Sequence, residues 1–237
     1  MAANIDANEE VEVSAIDGTS EGTVDETFKR NVLLVGGGVL IVVLAMGLYW
    51  YMAGKQKETE AYASLALSRV KVYYERAEYD KALRGDKSVM MRGEPIIGLQ
   101  EIVENYGGTS AGKMAALMSG DILTAQKKYA EAERMYEAAQ GSDSKILAAG
   151  AKAGIAACKE ADKKYSEAAP LYEEAAQYMK DVGDEARFRY FAAINYEKAG
   201  NSEKAKELYT LIAKENKDTE FKDLSVGAMA RLGMIIE

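Results

Sequence analysis

No Asp, Glu, Lys or Arg occurs between residues 31 and 54. At a helical rise of about 1.5 Å per residue this run reaches about 36 Å, enough to cross a hydrocarbon core of about 30 Å with some tilt. Lys29 and Arg30 flank one side and Lys55 and Lys57 the other. Tyr49, Trp50 and Tyr51 cluster at its C-terminal end, where amphipathic rings favour the headgroup region. A cleaved signal would bring a short basic start and a small-residue cleavage site. Here the first basic residue is Lys29, no convincing A-x-A site follows the apolar stretch, and no Cys stands just after it for lipidation. A buried core helix is usually shorter and carries a polar stripe. Residues 29–54 are therefore expected to form one transmembrane helix. Gly36, Gly37, Gly38 and Gly47 make no clean G-x-x-x-G pattern, and read as ordinary glycine tolerance in lipid.

Charge is unevenly placed around the anchor. Residues 1–30 hold eight acidic side chains against Lys29 and Arg30, and the segment from Lys55 onward carries only −2 of the net −8. The first 28 residues, rich in acidic and small side chains, cannot bury enough apolar surface to offset ordering and are expected to be a disordered acidic tail. It is either simply solvated or in contact with a basic partner. A near-neutral domain and an acidic tail leave no electrostatic footprint for nucleic acid. The 183 residues after the anchor suffice for a real core.

Chemistry is scarce in this chain. It has no His, which removes the commonest general base and metal ligand together. The single Cys158 can form no internal disulfide and sits among Ala and Ile, as a small core residue would. No phosphate-binding loop, nucleophile elbow, metalloprotease helix, cysteine cluster or calcium loop is present. Paired acids such as Glu173-Glu174 read as a solvated helix face. The expectation is a protein that is not an enzyme, with no cofactor, metal or small-molecule substrate.

Apolar residues recur at helical spacing almost everywhere after the anchor, and no sustained alternation marks a strand, so the fold class is all-α. Ala63, Leu67, Val70, Tyr74 and Ala77 trace one face of a linker helix that continues the anchor outward. Gly85 and Gly93 bracket a loop, and Pro95 suits the first turn of a short helix carrying Ile97, Ile102 and Val103. Residues 55–108 thus read as a linker helix and a short helix, a degenerate hairpin. Gly107-Gly108 ends it, and Thr109-Ser110 caps the next helix.

From residue 109 the chain repeats. Lys128-Tyr129-x-x-Ala132-x-x-x-Tyr136-x-x-Ala139 is followed by Lys164-Tyr165-x-x-Ala168-x-x-x-Tyr172-x-x-Ala175, and then by Asn201-Ser202-x-x-Ala205-x-x-x-Tyr209-x-x-Ile212, at spacings of 36 and 37. A helix precedes each copy, at about 111–126, 145–161 and 185–199. These residues resemble the tetratricopeptide repeat. On its pattern Gly120, Ala156 and Ala193 take the small first-helix position, Ala132, Ala168 and Ala205 the small second-helix position, and Tyr136, Tyr172 and Tyr209 the aromatic one. The first-helix Trp position holds Ala116, Lys152 and Arg189 instead, and the closing Pro is absent. Pro170 falls inside a second helix, where a local bend or a hinge is expected. A final helix, about 221–236, carries Leu224, Val226, Met229, Leu232, Met234 and Ile235 and caps the stack. Residues 109–237 are thus three repeats plus a capping helix, an α-solenoid behind a single transmembrane helix.

The resemblance implies a concave partner-binding groove lined by first helices. Its residues would be Met114, Leu117, Asp121 and Thr124, then Gly150, Ala153, Ala157 and Glu160, then Arg187, Tyr190, Ile194 and Glu197. The small middle section leaves room for a partner's side chains or an amphipathic helix, or serves only close helix packing. Leu117 and Asp121 do not match the family's clamp for C-terminal carboxylates. The layout is also similar to the YfgM-like ancillary subunits of the bacterial Sec translocon, through Gly98-Leu99-x-x-Ile102-Val103-Glu104-x-Tyr106-Gly107-Gly108-Thr109-x-Ala111-Gly112. That resemblance implies single-pass anchorage in the bacterial inner membrane and a periplasmic repeat domain that helps chaperones receive exported proteins. Its partners would be the translocon or periplasmic chaperones. A structural subunit of another membrane complex, with the repeats on one fixed partner, is the competing reading. Charge around the anchor does not decide the side, because Lys29-Arg30 balances Lys55 and Lys57.

Overall fold

A computed structural model describes residues 26–91, 93–215 and 220–234. The acidic tail lies outside the described residues up to position 25, and so does Ile235. The chain divides into two units, with the boundary between Met52 and Ala53.

The first unit contains the apolar start of helix α1, which runs Glu26–Glu75. Side chains such as Leu40, Val43 and Leu48 stand outward at 55–60% exposure, and a Cβ added at Gly36, Gly37, Gly38 or Gly47 would meet no neighbour. Within Leu34–Glu75 an 18-residue window has a mean hydropathy of 2.0, and none of that window is buried. Length and composition therefore suffice to cross a membrane, a property that signal sequences share.

The second unit is a stack of helical hairpins. The C-terminal part of α1 turns into α2 (Tyr79–Arg84). After a small β-hairpin, α3 (Leu99–Tyr106) leads to the repeats: α4 (Ser110–Ala125) with α5 (Tyr129–Ala139), α6 (Lys145–Ala161) with α7 (Tyr165–Met179), and α8 (Glu185–Lys198) with α9 (Ser202–Glu215). Helix α10 (Glu220–Arg231) closes the array, ending earlier than its apolar pattern predicts. Helix α7 continues across Pro170, whose ring is exposed.

Five turns among the described residues share one construction. Ala77, Lys127, Lys163, Gly200 and Gly233 each adopt a left-handed φ, between 56° and 83°. In each, two successive N–H groups reach back to the same two carbonyls of the preceding helix, as in Gly200 to Glu197 and Asn201 to Tyr196. This closure satisfies the last carbonyls of a helix. Glycine is the residue that fits it without strain, and the last two of these turns use it. Ala77, expected on the face of α1, instead makes the first of these turns.

The β-hairpin corrects the expected loop and proline-led helix. Strand β1 (Gly85–Met91) pairs antiparallel with β2 (Glu94–Ile97), with a register irregularity between Asp86 and Met90. Pro95 and Ile97 lie in β2, not in a helix, and α3 starts only after Gly98. The strands are short, bulged and mostly exposed, so no alternation betrays them in sequence. Gly85 and Gly98 form the neck: a Cβ on Gly85 would stand 2.6 Å from the Gly98 nitrogen. With residues 85–97 removed from the count, Leu99 falls four places after Ala82 and Ile102 seven. Those are the places of Tyr136 and Ala139 after Ala132, and both Leu99 and Ile102 are fully buried.

Packing follows the small positions. Ala132, Ala156, Ala168, Ala193 and Ala205 are all fully buried. The Tyr136 ring is held between α4 and α6: a Cβ on Gly120 would lie 2.6 Å from its Cε1, and one on Gly154 would collide with the same ring. In the next hairpin Phe191 stands where Gly154 stood, and it packs on Tyr172 at 5.6 Å between centroids. Thr109 caps α4 by accepting from Gly112 N at 2.9 Å. Glu60 of α1 joins it, accepting from Ser110 N at 2.8 Å and Ala111 N at 3.1 Å. A carboxylate at a helix N-terminus satisfies orphan donors and complements the dipole.

Glycine-to-alanine changes separate propensity from packing. At Gly227, inside α10 with nothing near its Cβ position, alanine is expected to stabilise by about 0.5–1 kcal/mol. At Gly120 the same change is expected to destabilise by roughly 1–3 kcal/mol, because a ring fixed on both faces cannot yield. Thermal or denaturant unfolding of both variants reads the opposite signs.

Candidate protein-interaction surface

The first helices of the repeats carry an acidic or hydroxyl side chain that receives the tyrosine of the following helix twelve residues on. Tyr172 donates to Glu160 Oε2 at 3.2 Å, and Tyr209 to Glu197 Oε2 at 3.1 Å. In the first repeat Thr124 pairs with the Tyr136 hydroxyl at 3.1 Å, and that hydroxyl donates to Asp121 Oδ1 at 2.9 Å. The spacing is dictated by the fold: a ring long enough to cross a hairpin brings its hydroxyl out at the last turn of the first helix.

Each acid is also reached from a neighbouring hairpin. Glu160 accepts from Asn195 Nδ2 at 3.1 Å and from Lys198 Nζ at 2.7 Å. Glu197 takes both its oxygens to Arg231 Nη2, at 3.1 and 2.9 Å. Asp121 accepts from Tyr74 on α1 at 3.2 Å. These clasps tie successive hairpins together along one face. Tyr74, Asn195, Lys198 and Arg231 were not among the sequence-based candidates, although the twelve-residue acid-to-tyrosine spacing was visible.

The electrostatics follow from this geometry. Burial pushes the Asp121 carboxyl above its ordinary value despite the bonds from Tyr136 and Tyr74. Burial also acts upward on Glu160, but Lys198, Asn195 and Tyr172 outweigh it and hold that carboxyl below its usual range. Glu160 therefore contributes stability above the carboxylate's ordinary value, and this is lost as pH falls through its lowered one. The phenols of Tyr136, Tyr172 and Tyr209 are raised, first by burial and then chiefly by the facing acids. Tyr74 is pushed up to about 12 for the same reasons. Cys158 is buried, and burial raises its thiol as well, as befits an inert core residue.

The other expected groove residues fall into three groups. Met114 and Arg187 are exposed; Arg187 pairs with Asp184 at 2.8 Å and covers the Phe188 ring. Leu117, Gly150, Ala153, Ala157 and Ile194 are half-buried, and the Leu117 side chain reaches 3.3 Å from the Cβ position of Gly150. Tyr190 is drawn into an aromatic cluster with Tyr209 at 5.8 Å and Phe221 at 5.7 Å, so α10 covers that end.

The tetratricopeptide repeat family model matches residues 160–232, from Glu160 to the end of α10. No curated protein matches the chain. Tetratricopeptide repeats are typically non-catalytic modules for protein–protein interaction, and the match supports protein partners for this part of the chain.

The buried phenols make alkaline pH a direct probe. A raised folded value means stability is complete below pH about 10, the ordinary tyrosine value, and is lost as pH rises through the folded one. Ultraviolet titration is expected to show a late phenolate step that coincides with loss of helical circular dichroism. Tyr172→Phe and Tyr209→Phe should each shrink that step.

Proposed function

We propose that the protein is a single-pass membrane scaffold of the bacterial inner membrane, with its repeats on the outer side, where they assist protein export or chaperone recruitment. Three repeats with a capping helix occupy 109–237, and 55–108 is a degenerate hairpin that joins them to the anchor. The observation that carries the reading is the state of the first-helix face. Glu160 and Glu197 are already bonded to tyrosines and to Lys198 and Arg231, and Asp121 to Tyr136 and Tyr74, while Gly150, Ala153 and Ala157 leave an uncharged, half-buried floor. Such a surface favours partners by shape and apolar contact, in the manner of a helix laid in a groove. Anchorage is supported by the apolar, neighbour-free start of α1 and its aromatic end. The export role and the outer location rest on the resemblance of residues 98–112 to the YfgM-like subunits.

Deleting residues 31–54 is expected to move the protein to the soluble fraction with its helical signal per residue retained. With Ser88→Cys in a Cys158→Ala background, a membrane-impermeant thiol reagent should label cells whose outer layer alone has been opened. Labelling only after the inner membrane is broken would place the repeats inside and remove the export role. Co-purification in mild detergent should recover export components, and Met114→Glu, an exposed change, should deplete them. Recovery of one fixed complex unrelated to export would favour the structural-subunit reading.

A further inference from the structure

The exposed large apolar side chains of the second unit are gathered at one end of the helical array. That end carries the turns between repeats and the N-termini of α4, α6, α8 and α10. Glu60 of α1 belongs to it, since its carboxylate holds the first N–H groups of α4. Outside the β-hairpin, Tyr62, Met114, Ile146, Tyr178, Val182 and Leu224 are 39–63% exposed there. Among the described residues only Val72, further along α1, joins them from elsewhere in this unit. The turns of the opposite end read Gln126-Lys127-Lys128, Asp162-Lys163-Lys164 and Gly200-Asn201-Ser202, with no large apolar side chain exposed.

Polar contacts tie the apolar-rich turns side by side. Lys113 of α4 donates to the Gly141 carbonyl, and Lys145 of α6 pairs with Asp181. Ile146 and Val182 directly follow the two residues of that pair, which brings them close together.

The chain itself decides what meets this patch. The uncharged run ends at Gly54, six residues before Glu60, a separation of about 9 Å at the helical rise. The headgroup layer on each side of a bilayer is about 5–8 Å deep. A patch tethered that close meets lipid at a far higher effective concentration than it meets a diffusing partner. Its chemistry suits the interface as well. Tyr62 and Tyr178 combine an apolar ring with a polar tip, as side chains at headgroup depth do. Lys145 is paired with Asp181 and Arg187 with Asp184, so contact comes through apolar burial and not through anionic lipid.

We propose that the turns between repeats rest on the bilayer that holds the anchor, with Ile146 and Val182 entering its headgroup layer. This rests on the single-pass reading above.

The test reconstitutes the full chain, as Cys158→Ala, in vesicles of phosphatidylethanolamine and phosphatidylglycerol. A bimane label is placed on Ile146→Cys, on Val182→Cys, or on Lys128→Cys, an exposed position at the opposite end. Nitroxide carried on lipid headgroups should quench the first two labels by roughly half and leave the third nearly unchanged. High salt should not alter that pattern. Equal quenching at Lys128→Cys, no quenching at the first two positions, or its loss in salt would each overturn the proposal. Cross-linking of Ile146→Cys between chains without nitroxide quenching would assign the patch to a second copy instead. Flotation of the vesicles in urea, which strips surface contacts, reads the anchor by itself. Protein that floats unquenched overturns the lipid contact alone, whereas protein that does not float overturns the anchor too.

Discussion

Close approach of paired helices, made possible by the small residues at their crossing, is the constraint on which the second unit depends. Ala132, Ala168 and Ala205 are fully buried because a larger side chain there would push the hairpin apart. Once the helices are that close, the tyrosine four residues on has only one direction to take. Tyr136 enters between Gly120 and Gly154, across the hairpin and against the next one. One ring thus joins three helices, and its apolar face and polar tip are satisfied in different places.

The polar tip shapes the first-helix face. Each tyrosine hydroxyl emerging at the first-helix end must find an acceptor, and Asp121, Glu160 and Glu197 supply one. A carboxylate half-buried for this purpose needs further donors, and the helices that follow provide them through Asn195 and Lys198 on α8 and Arg231 on α10. Packing therefore engages the charges that a sequence reader would assign to partner binding. What stays uncharged and half-exposed there is Leu117 with Gly150, Ala153 and Ala157. The same logic reaches back into α1, where Tyr74 and Glu60 tie the first repeat to the linker helix by a side-chain clasp and a helix cap.

Helices and repeats were legible in sequence because their signals are local and periodic: alanine and tyrosine at fixed offsets, Thr109 before a helix, apolar residues three and four apart. The twelve-residue pairing of Glu160 with Tyr172 is equally visible in the spacing, but an acid on a first helix reads as a groove residue until its tyrosine is seen bonded to it. Arg69 was hidden by its class, because a charged residue one turn from Ala66 and Tyr73 reads as exposed until Glu94 is seen to cover it. The β-hairpin was illegible for a different reason. Its register breaks between Asp86 and Met90, and its side chains are mostly exposed, so there is no buried face to impose alternation.

That hairpin also shows how an insertion is accommodated without disturbing a solenoid. Both ends must leave and re-enter one helix at nearly the same point, which requires backbones closer than any side chain permits. Gly85 and Gly98 meet that requirement, since a Cβ on either would overlap the other's neighbourhood. Helix α3 then resumes in phase, so that Leu99 and Ile102 fill the places a tyrosine and an alanine hold elsewhere, and the stack continues into α4. The insert itself stands outside the stack and is tied to it by Arg69 on Glu94 and by Tyr73 on Asp86 at 3.4 Å. A segment added this way leaves the repeat core as it was and creates walls where the hairpin meets α1.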